Sequence, residues 1–408
     1  MENGTYEHPF DGFNQTWVNY VNDNYGHIGA VIDPFPWLYF APGNYDLGDF
    51  ASHRFALPGG WGMYGRSADY VEPAQGDERA LFIGGLDLYG SSNVLDSIQL
   101  KNNGSQSTGI NITGSSVYMN NISVGVLSHN GGYNIGIYIN SDGVTLNASQ
   151  VYGYNVQDGE TAKGISVVNG ELTLGSSNTI SAESNVQNGL YQSGAYGISA
   201  NFSTVNIIGN SNTISAESNI QSEYVQSVAY GISADYSTVN ISGSFNDIRA
   251  KAAGGDGATG YAYGDGINAD NSTINISGSN NNISAEAAAS GHYADNDACG
   301  IKALGSTVNV SGSDNSFSAT ATGSYGWAKG IEALASTINF THTATGTTIT
   351  GNGPNTWGIY ADKTSHLQID GTDVAYVTDY LTYITFINNG TAGSGKKIEW
   401  EDKGSVNW

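Results

Sequence analysis

The sequence predicts an all-β fold in which one chain winds as a parallel β-helix with three strands per coil, and three observations carry that prediction. A Gly-Ile step recurs at Gly109-Ile110, Gly136-Ile137, Gly164-Ile165, Gly197-Ile198, Gly231-Ile232, Gly266-Ile267, Gly300-Ile301, Gly330-Ile331 and Gly358-Ile359, at intervals of 27 to 35 residues. Behind each central step come three short segments that alternate apolar and polar residues, as in GISADYSTVNISGSFNDIRA from Gly231 to Ala250. A period of two is the signature of a strand. Like residues also recur at like positions from unit to unit, as expected when each strand pairs in parallel with its own copy at ~4.8 Å. A β-propeller needs four strands and hairpin turns per unit, and a leucine-rich repeat needs a Leu framework with a helix; neither pattern is visible.

Parity assigns the interior. The Gly-Ile strand points inward Ile198/Ala200, Ile232/Ala234, Ile267/Ala269, Ile301/Ala303 and Ile331/Ala333. The second strand adds Val205/Ile207, Val239/Ile241, Ile274/Ile276, Val308/Val310 and Ile338/Phe340, and the third adds Ile214/Ala216, Ile248/Ala250, Ile283/Ala285 and Phe317/Ala319. The residues before the repeated glycine (Tyr196, Tyr230, Asp265, Cys299, Lys329, Trp357) are too mixed for a core column. That glycine is therefore expected in a turn conformation that resets the alternation, and Cys299 on the surface or rim. Asn178, Asn212, Asn246, Asn281 and Asn315 precede the third strand, where Asn tolerates left-handed geometry and stacked amides bond from coil to coil. Asn206, Asn240, Asn275, Asn309 and Asn339 face outward beside a Thr column, forming a flat polar face.

The ends differ from the middle. Six of the seven prolines lie in the first 73 residues, among many aromatic side chains. Phe13, Trp17, Tyr20 and Val21 have helical spacing, so residues 11–23 read as a short helix covering the first coil, whose strand edges would otherwise stay unpaired. Val374 to Ile387 is apolar on both faces and suits a closing coil. The expected organisation is an N-terminal cap and first coil over 1–75, the β-helix over 76–387, and a tail or linker over 388–408.

Composition narrows the partners. The chain has 408 residues, 13 Lys+Arg and 37 Asp+Glu, a net charge of −24. It has no basic stripe for nucleic acid or anionic lipid, so neither nucleic acid nor membrane contact is expected. Glycine, at 56 residues, is roughly twice the usual ~7%, while 39% hydrophobic residues leave enough apolar surface for a core. A single cysteine, Cys299, excludes an internal disulfide framework. The opening MENGTYEHPF lacks the positive start and apolar run of a signal peptide, and no stretch reaches the ~18 apolar residues of a membrane helix.

The stretch WLYFAPGNYDLGDF (Trp37 to Phe50), followed by ALFIGGLDLYGSSNVLDSIQLKN (Ala80 to Asn102), resembles the first coils of pectate-lyase-like right-handed parallel β-helices. The units from Gly164 to Asp370 resemble the repeats of autotransporter passenger domains and related bacterial surface adhesins. The resemblance covers roughly residues 37 to 387. It implies a right-handed coil and an extracellular or bacterial cell-surface location, with an export signal before Met1 and a membrane β-barrel after Trp408.

Polysaccharide lyases and hydrolases are the enzymes this resemblance brings in. Such lyases abstract a proton with Arg or Lys beside calcium-binding acids, and the hydrolases use clustered Asp pairs. The coil strands here contain no Asp-Asp pair, and Lys163, Lys302 and Lys329 each lie in a different coil beside a Gly-Ile step. No catalytic residue is assigned, and the enzyme reading stands second. A cleft lined by three or more acids and a Lys or Arg would favour it.

What varies between coils is the insertion before each Gly-Ile step: 183–196, 217–230, 251–265, 286–299 and 320–329. These insertions are expected to project along one edge and gather Tyr191, Tyr196, Tyr224, Tyr230, Tyr261, Tyr263, Tyr293, Tyr325, Trp327 and Trp357 as ligand contacts. Aromatic rings among few charges suit a glycan or protein surface; equally, these rings pack the insertions onto the wall. Glu183, Glu217, Asp256, Asp265, Asp295 and Asp297 lie between them, the places where calcium would bind if a cofactor is present. The first reading is thus a non-enzymatic adhesin or passenger-type module for a host glycan or protein. The second is a polysaccharide-active enzyme, and the third a structural or ice-face protein.

Overall fold

The computed structural model describes residues 37–48, 53–67, 72–102, 108–128, 134–187, 191–221, 225–255, 261–290, 295–323, 325–374, 384–388, 395–401 and 404–407. Across them the chain forms three sheets of 13, 12 and 13 strands, and as far as His366–Ile369 each sheet takes every third strand of the chain in order, the closing strands alone departing from it. One coil runs through Ser193–Asn201, Thr204–Ile207 and Thr213–Gln221 before Gln226–Asp235 begins the next. This is a right-handed parallel β-helix with three strands per coil. We refer to its faces as the Gly-Ile sheet, the Thr-x-Asn sheet and the 12-stranded sheet.

Register follows the repeat. Ile198, Ile232, Ile267, Ile301, Ile331 and Ile359 stand in one column. Every inward residue assigned by parity is buried, because a stacked coil offers each side chain its own copy above and below and no route to water.

The glycine of the Gly-Ile step does not behave as a turn residue. From Gly109 to Gly330 none of these glycines has a positive φ, and Gly197 lies inside the strand Ser193–Asn201, between the paired positions Tyr196↔Tyr230 and Ile198↔Ile232. The alternation does reset there, with Gly197 and Ile198 both buried. Only glycine fits because a Cβ would stand 2.6 Å from the Gly231 carbonyl oxygen and 2.8 Å from Ile214 Cγ2.

Two ladders tie the corners. Asn178 donates from its backbone N and from Nδ2 to Asn212 Oδ1, both at 2.9 Å, and Asn212 repeats the pattern onto Asn246. The left-handed residue is the one before the ladder Asn: Ser177, Ser211, Phe245, Asn280 and Asp314 carry the positive φ. A serine ladder at the next corner was not anticipated: the backbone N of Ser203, Ser237, Ser272, Ser306 and Ser336 donates to the following coil's serine hydroxyl at 2.9–3.1 Å. Each such buried bond contributes about 1 kcal/mol. The outward Asn amides form a third ladder, Asn240 to Asn206 and Asn275 to Asn240 at 2.8 Å.

The insertions largely extend the strands. Thr179–Gln187 and Ser193–Asn201 run past the coil as paired layers. Between such layers lies a thin core of its own, with Ala182, Ala195, Ala216, Ala229, Ala250 and Ala262 all buried. Alanine lets the two sheets approach closely where no room exists for Ile.

The helix expected over 11–23 lies outside the described residues. Val374 and Ile384 are buried in the main core, and Thr385–Asn388 pairs in parallel with Thr348–Asn352. Gly395–Trp400, which the sequence suggested as tail or linker, pairs in parallel with Asn355–Ala361 and folds back on Gly404–Asn407. Its alternating Ile398 and Trp400 are buried, so the strand has a core face without carrying the repeat motif.

Candidate functional site

Because alternation resets at the glycine, residues one before and two after it both face outward on the Gly-Ile sheet. Stacking then sets Tyr196, Tyr230, Asp265, Cys299, Lys329 and Trp357 in one outer column, and Asn268, Lys302, Glu332 and Tyr360 in another. A third column, two residues before the first, holds Tyr263, Asp297 and Trp327. Lysines that lie about thirty residues apart in sequence therefore become neighbours across a single strand spacing.

These columns assemble one ionic network. Lys329 Nζ sits 3.0 Å from Asp297 Oδ1 and 2.7 Å from Glu332 Oε1, while Lys302 Nζ lies 3.5 Å from Asp297 Oδ2 and 3.6 Å from Glu332 Oε2. Asp265 accepts from Asn268 Nδ2 at 2.9 Å. Most of the network is buried; the Lys329 side chain is only 4% exposed, against 27% for Lys302. Cys299, expected at the surface or rim, is fully buried beneath it, its Sγ 3.6 Å from Glu332 Oε2. The column is an outer one, but the charged side chains beside it close over the thiol.

Burial pushes the Asp265 carboxyl up to about 7, with the Asp297 and Glu332 charges adding to the effect and the Lys302 ammonium and Asn268 amide opposing it. Burial works against the charged forms of Lys302 and Lys329, but the surrounding carboxylates outweigh it and hold both ammonium pKa values above the usual range. Burial, then the Asp297 and Glu332 charges, raise the Cys299 thiol well above its ordinary value. The network thus offers one carboxyl that titrates near neutrality beside two carboxylates paired with ammonium groups.

Asp265 sets a pH dependence with a definite sign. Its folded pKa lies above the unfolded value of 3.8, so its contribution to stability is whole below about pH 4 and is lost as the pH climbs through about 7. Relative to Asp265→Asn, the wild type should lose on the order of 2 kcal/mol between pH 5 and pH 8. Urea unfolding of both chains at the two pH values checks this; a constant difference contradicts the assignment.

Asp297, Cys299 and Glu332 also bring three ligand atoms within 4.8 Å of one another. The Lys329 ammonium already contacts both carboxylates, and calcium prefers six to eight oxygen donors over a thiol. A divalent ion would have to displace the lysine.

Of the other proposed acids, Glu183 accepts from Tyr152 Oη at 2.7 Å and Glu217 pairs with Lys251 at 2.8 Å. Both stand on the 12-stranded sheet, apart from Asp265, Asp295 and Asp297. Asp256, Tyr224 and Tyr293 lie outside the described residues. Among the proposed aromatic contacts, Tyr191, Tyr325 and Trp327 are 67%, 53% and 46% exposed. Tyr196, Tyr230, Tyr261, Tyr263 and Trp357 are half-buried. Tyr196 and Tyr230 meet edge to face at 5.2 Å, Trp327 and Trp357 lie 5.9 Å apart, and Lys329 Nζ stands 5.2 Å from the Trp327 ring centroid.

No family model and no curated protein matches this chain. Among solved structures, the catalytic unit of the thermostable GH87 α-1,3-glucanase from Streptomyces thermodiastaticus strain HF3-3 is similar over 91% of this chain and 64% of that one, at 12% identity and a TM-score of 0.21. This chain thus spans less than two thirds of that catalytic unit.

Proposed function

We propose that the chain is a non-enzymatic extracellular surface module, of adhesin or passenger type, that engages a host glycan or protein along the outer edge of the Gly-Ile sheet. The observation that carries this reading is the placement of rings in successive coils: Tyr196 beside Tyr230, Tyr263 in the next, and Trp327 beside Trp357, with Trp327, Tyr191 and Tyr325 largely exposed. Rings that face water and pack little are available for contact. The lysines beneath neutralise the acids, so the edge is less anionic than the net charge suggests.

Binding by the purified protein should be screened on a glycan array and against host surface proteins, with calcium and with chelator. Trp327→Ala, Tyr191→Ala and Tyr325→Ala should each weaken capture by about 1 kcal/mol or more and leave melting nearly unchanged. If all three bind as wild type, the edge is scaffolding.

A second reading, a polysaccharide-active enzyme, is favoured by the network itself. A carboxyl titrating near 7 beside carboxyls paired with lysine ammonium groups resembles the two-carboxyl arrangement that glycosidic acid/base chemistry uses. Release of reducing ends from neutral and acidic polysaccharides, abolished in Asp297→Asn and Glu332→Gln, would establish it; activity that survives both variants would exclude this network as its source.

A further inference from the structure

A second site is written into the corner between the Gly-Ile and Thr-x-Asn sheets, away from the Trp327 edge. One turn position there has positive φ in six successive coils: Asn169 (49°), Phe202 (48°), Tyr236 (46°), Asn271 (47°), Gly305 (57°) and Ala335 (50°). Left-handed backbone crowds a bulky side chain, while Asn and Gly accept it readily. Two adjacent coils nonetheless use Phe and Tyr. Their rings do not serve the core, being 58% and 55% exposed; they stack on each other, with centroids 5.1 Å apart and planes 11° from parallel.

The stack borders an open groove of about 550 Å³ that runs across four successive coils from Asp142 to Thr238. That volume falls in the range of small-ligand sites, but the lining is mostly polar, with Asp142, Asn169, Glu171 and Thr204 beside the two rings. The stack ends at Phe202, because the same turn one coil earlier carries Asn169 instead of a ring. Glu171 is held in place by Asn206 Nδ2, 2.7 Å from its Oε1.

We propose that this groove binds a neutral pyranose unit of a glycan, its C–H face laid on the Phe202 ring and its hydroxyls bonded to the polar lining. The Asp142 and Glu171 carboxylates accept from sugar hydroxyls, and the Asn169 amide and Thr204 hydroxyl can donate to sugar oxygens. No Lys, Arg or His lines the groove among the described residues. With two carboxylates in the wall and a net charge of −24, the groove repels uronates, sulfates and phosphates. The site is independent of the Trp327 edge and does not need that reading to hold.

The test uses the residue that neighbouring coils carry at the same turn. Neutral gluco-, manno- and galacto-tetraoses, a tetragalacturonate and a glucosamine tetraose are titrated into the whole chain by calorimetry. At least one neutral tetraose should bind, and the galacturonate should not. Phe202→Asn should weaken that binding about fivefold or more, the loss of the ring face the sugar lies on, and Tyr236→Asn, which removes only the ring behind it, should weaken it less, both with melting temperature unchanged or raised because Asn accepts this φ. Trp327→Ala should leave it unchanged. The proposal is overturned if no neutral tetraose binds, if the galacturonate or glucosamine tetraose binds as well as or better than the neutral ones, or if the Asn variants lose thermal stability while binding as wild type.

Discussion

Ile232→Asp is expected to lower the stability of the chain by several kcal/mol, the cost of placing a carboxylate where no partner can reach it. Ile232 is fully buried and stacked between Ile198 and Ile267. Its neighbours in that column are apolar, so the new acid either stays charged at high cost or takes up a proton. Thr238→Asp, only six residues on but facing outward between Thr204 and Thr273, should stay within about 0.5–1 kcal/mol of wild type. Urea unfolding midpoints for the two variants decide the matter. Equal losses would contradict the inward–outward assignment, and a larger loss for Thr238→Asp would mean that the two faces are exchanged, since a slip of one residue moves every side chain to the other side.

Lys329→Met should cost about 3–5 kcal/mol, the penalty for leaving buried carboxylates without their cation. Met keeps most of the side-chain volume, so packing is not what is lost. Lys302 stays 3.5 Å from Asp297 and 3.6 Å from Glu332, too far to replace the 2.7 Å contact that Lys329 makes. The exposed pair Lys251–Glu217, with side chains 51% and 50% accessible, is the control: Lys251→Met should cost about 1 kcal/mol or less. Similar small losses for both lysines at neutral pH would show that the network is solvated.

The outer columns explain why the network was not legible. Read along the chain, Asp265, Asp297, Lys302, Lys329 and Glu332 are scattered over three strands, and Lys302 and Lys329 read as isolated charges. The signal was nonetheless present as parity: counted from each Gly-Ile step, Asp265 and Lys329 occupy one outward position and Lys302 and Glu332 another. That count required knowing that the glycine puts two consecutive residues inward. Read as a turn, the glycine leaves the positions before it without a face, and Cys299 falls at the rim instead of under the network.

The turn that carries Phe202 and Tyr236 was hidden for a related reason. Those residues occur in the strings ANFST and ADYST, where a single aromatic residue among small polar ones gives no sign of positive φ or of a stacked partner one coil away.

What the sequence by itself determined is the coil: its three strands, their inward residues, the Asn ladder and the vertical register. These follow from a period of two along each strand and from repetition between strands, both of which are one-dimensional patterns. Only the tertiary structure decided which outward residues meet, because contact across a parallel β-helix joins positions separated by a whole coil, and coils here differ in length from 27 to 35 residues. Insertion length shifts the numbering without shifting the stack, so charges and rings that never approach each other in sequence share one wall at the strand spacing of ~4.8 Å.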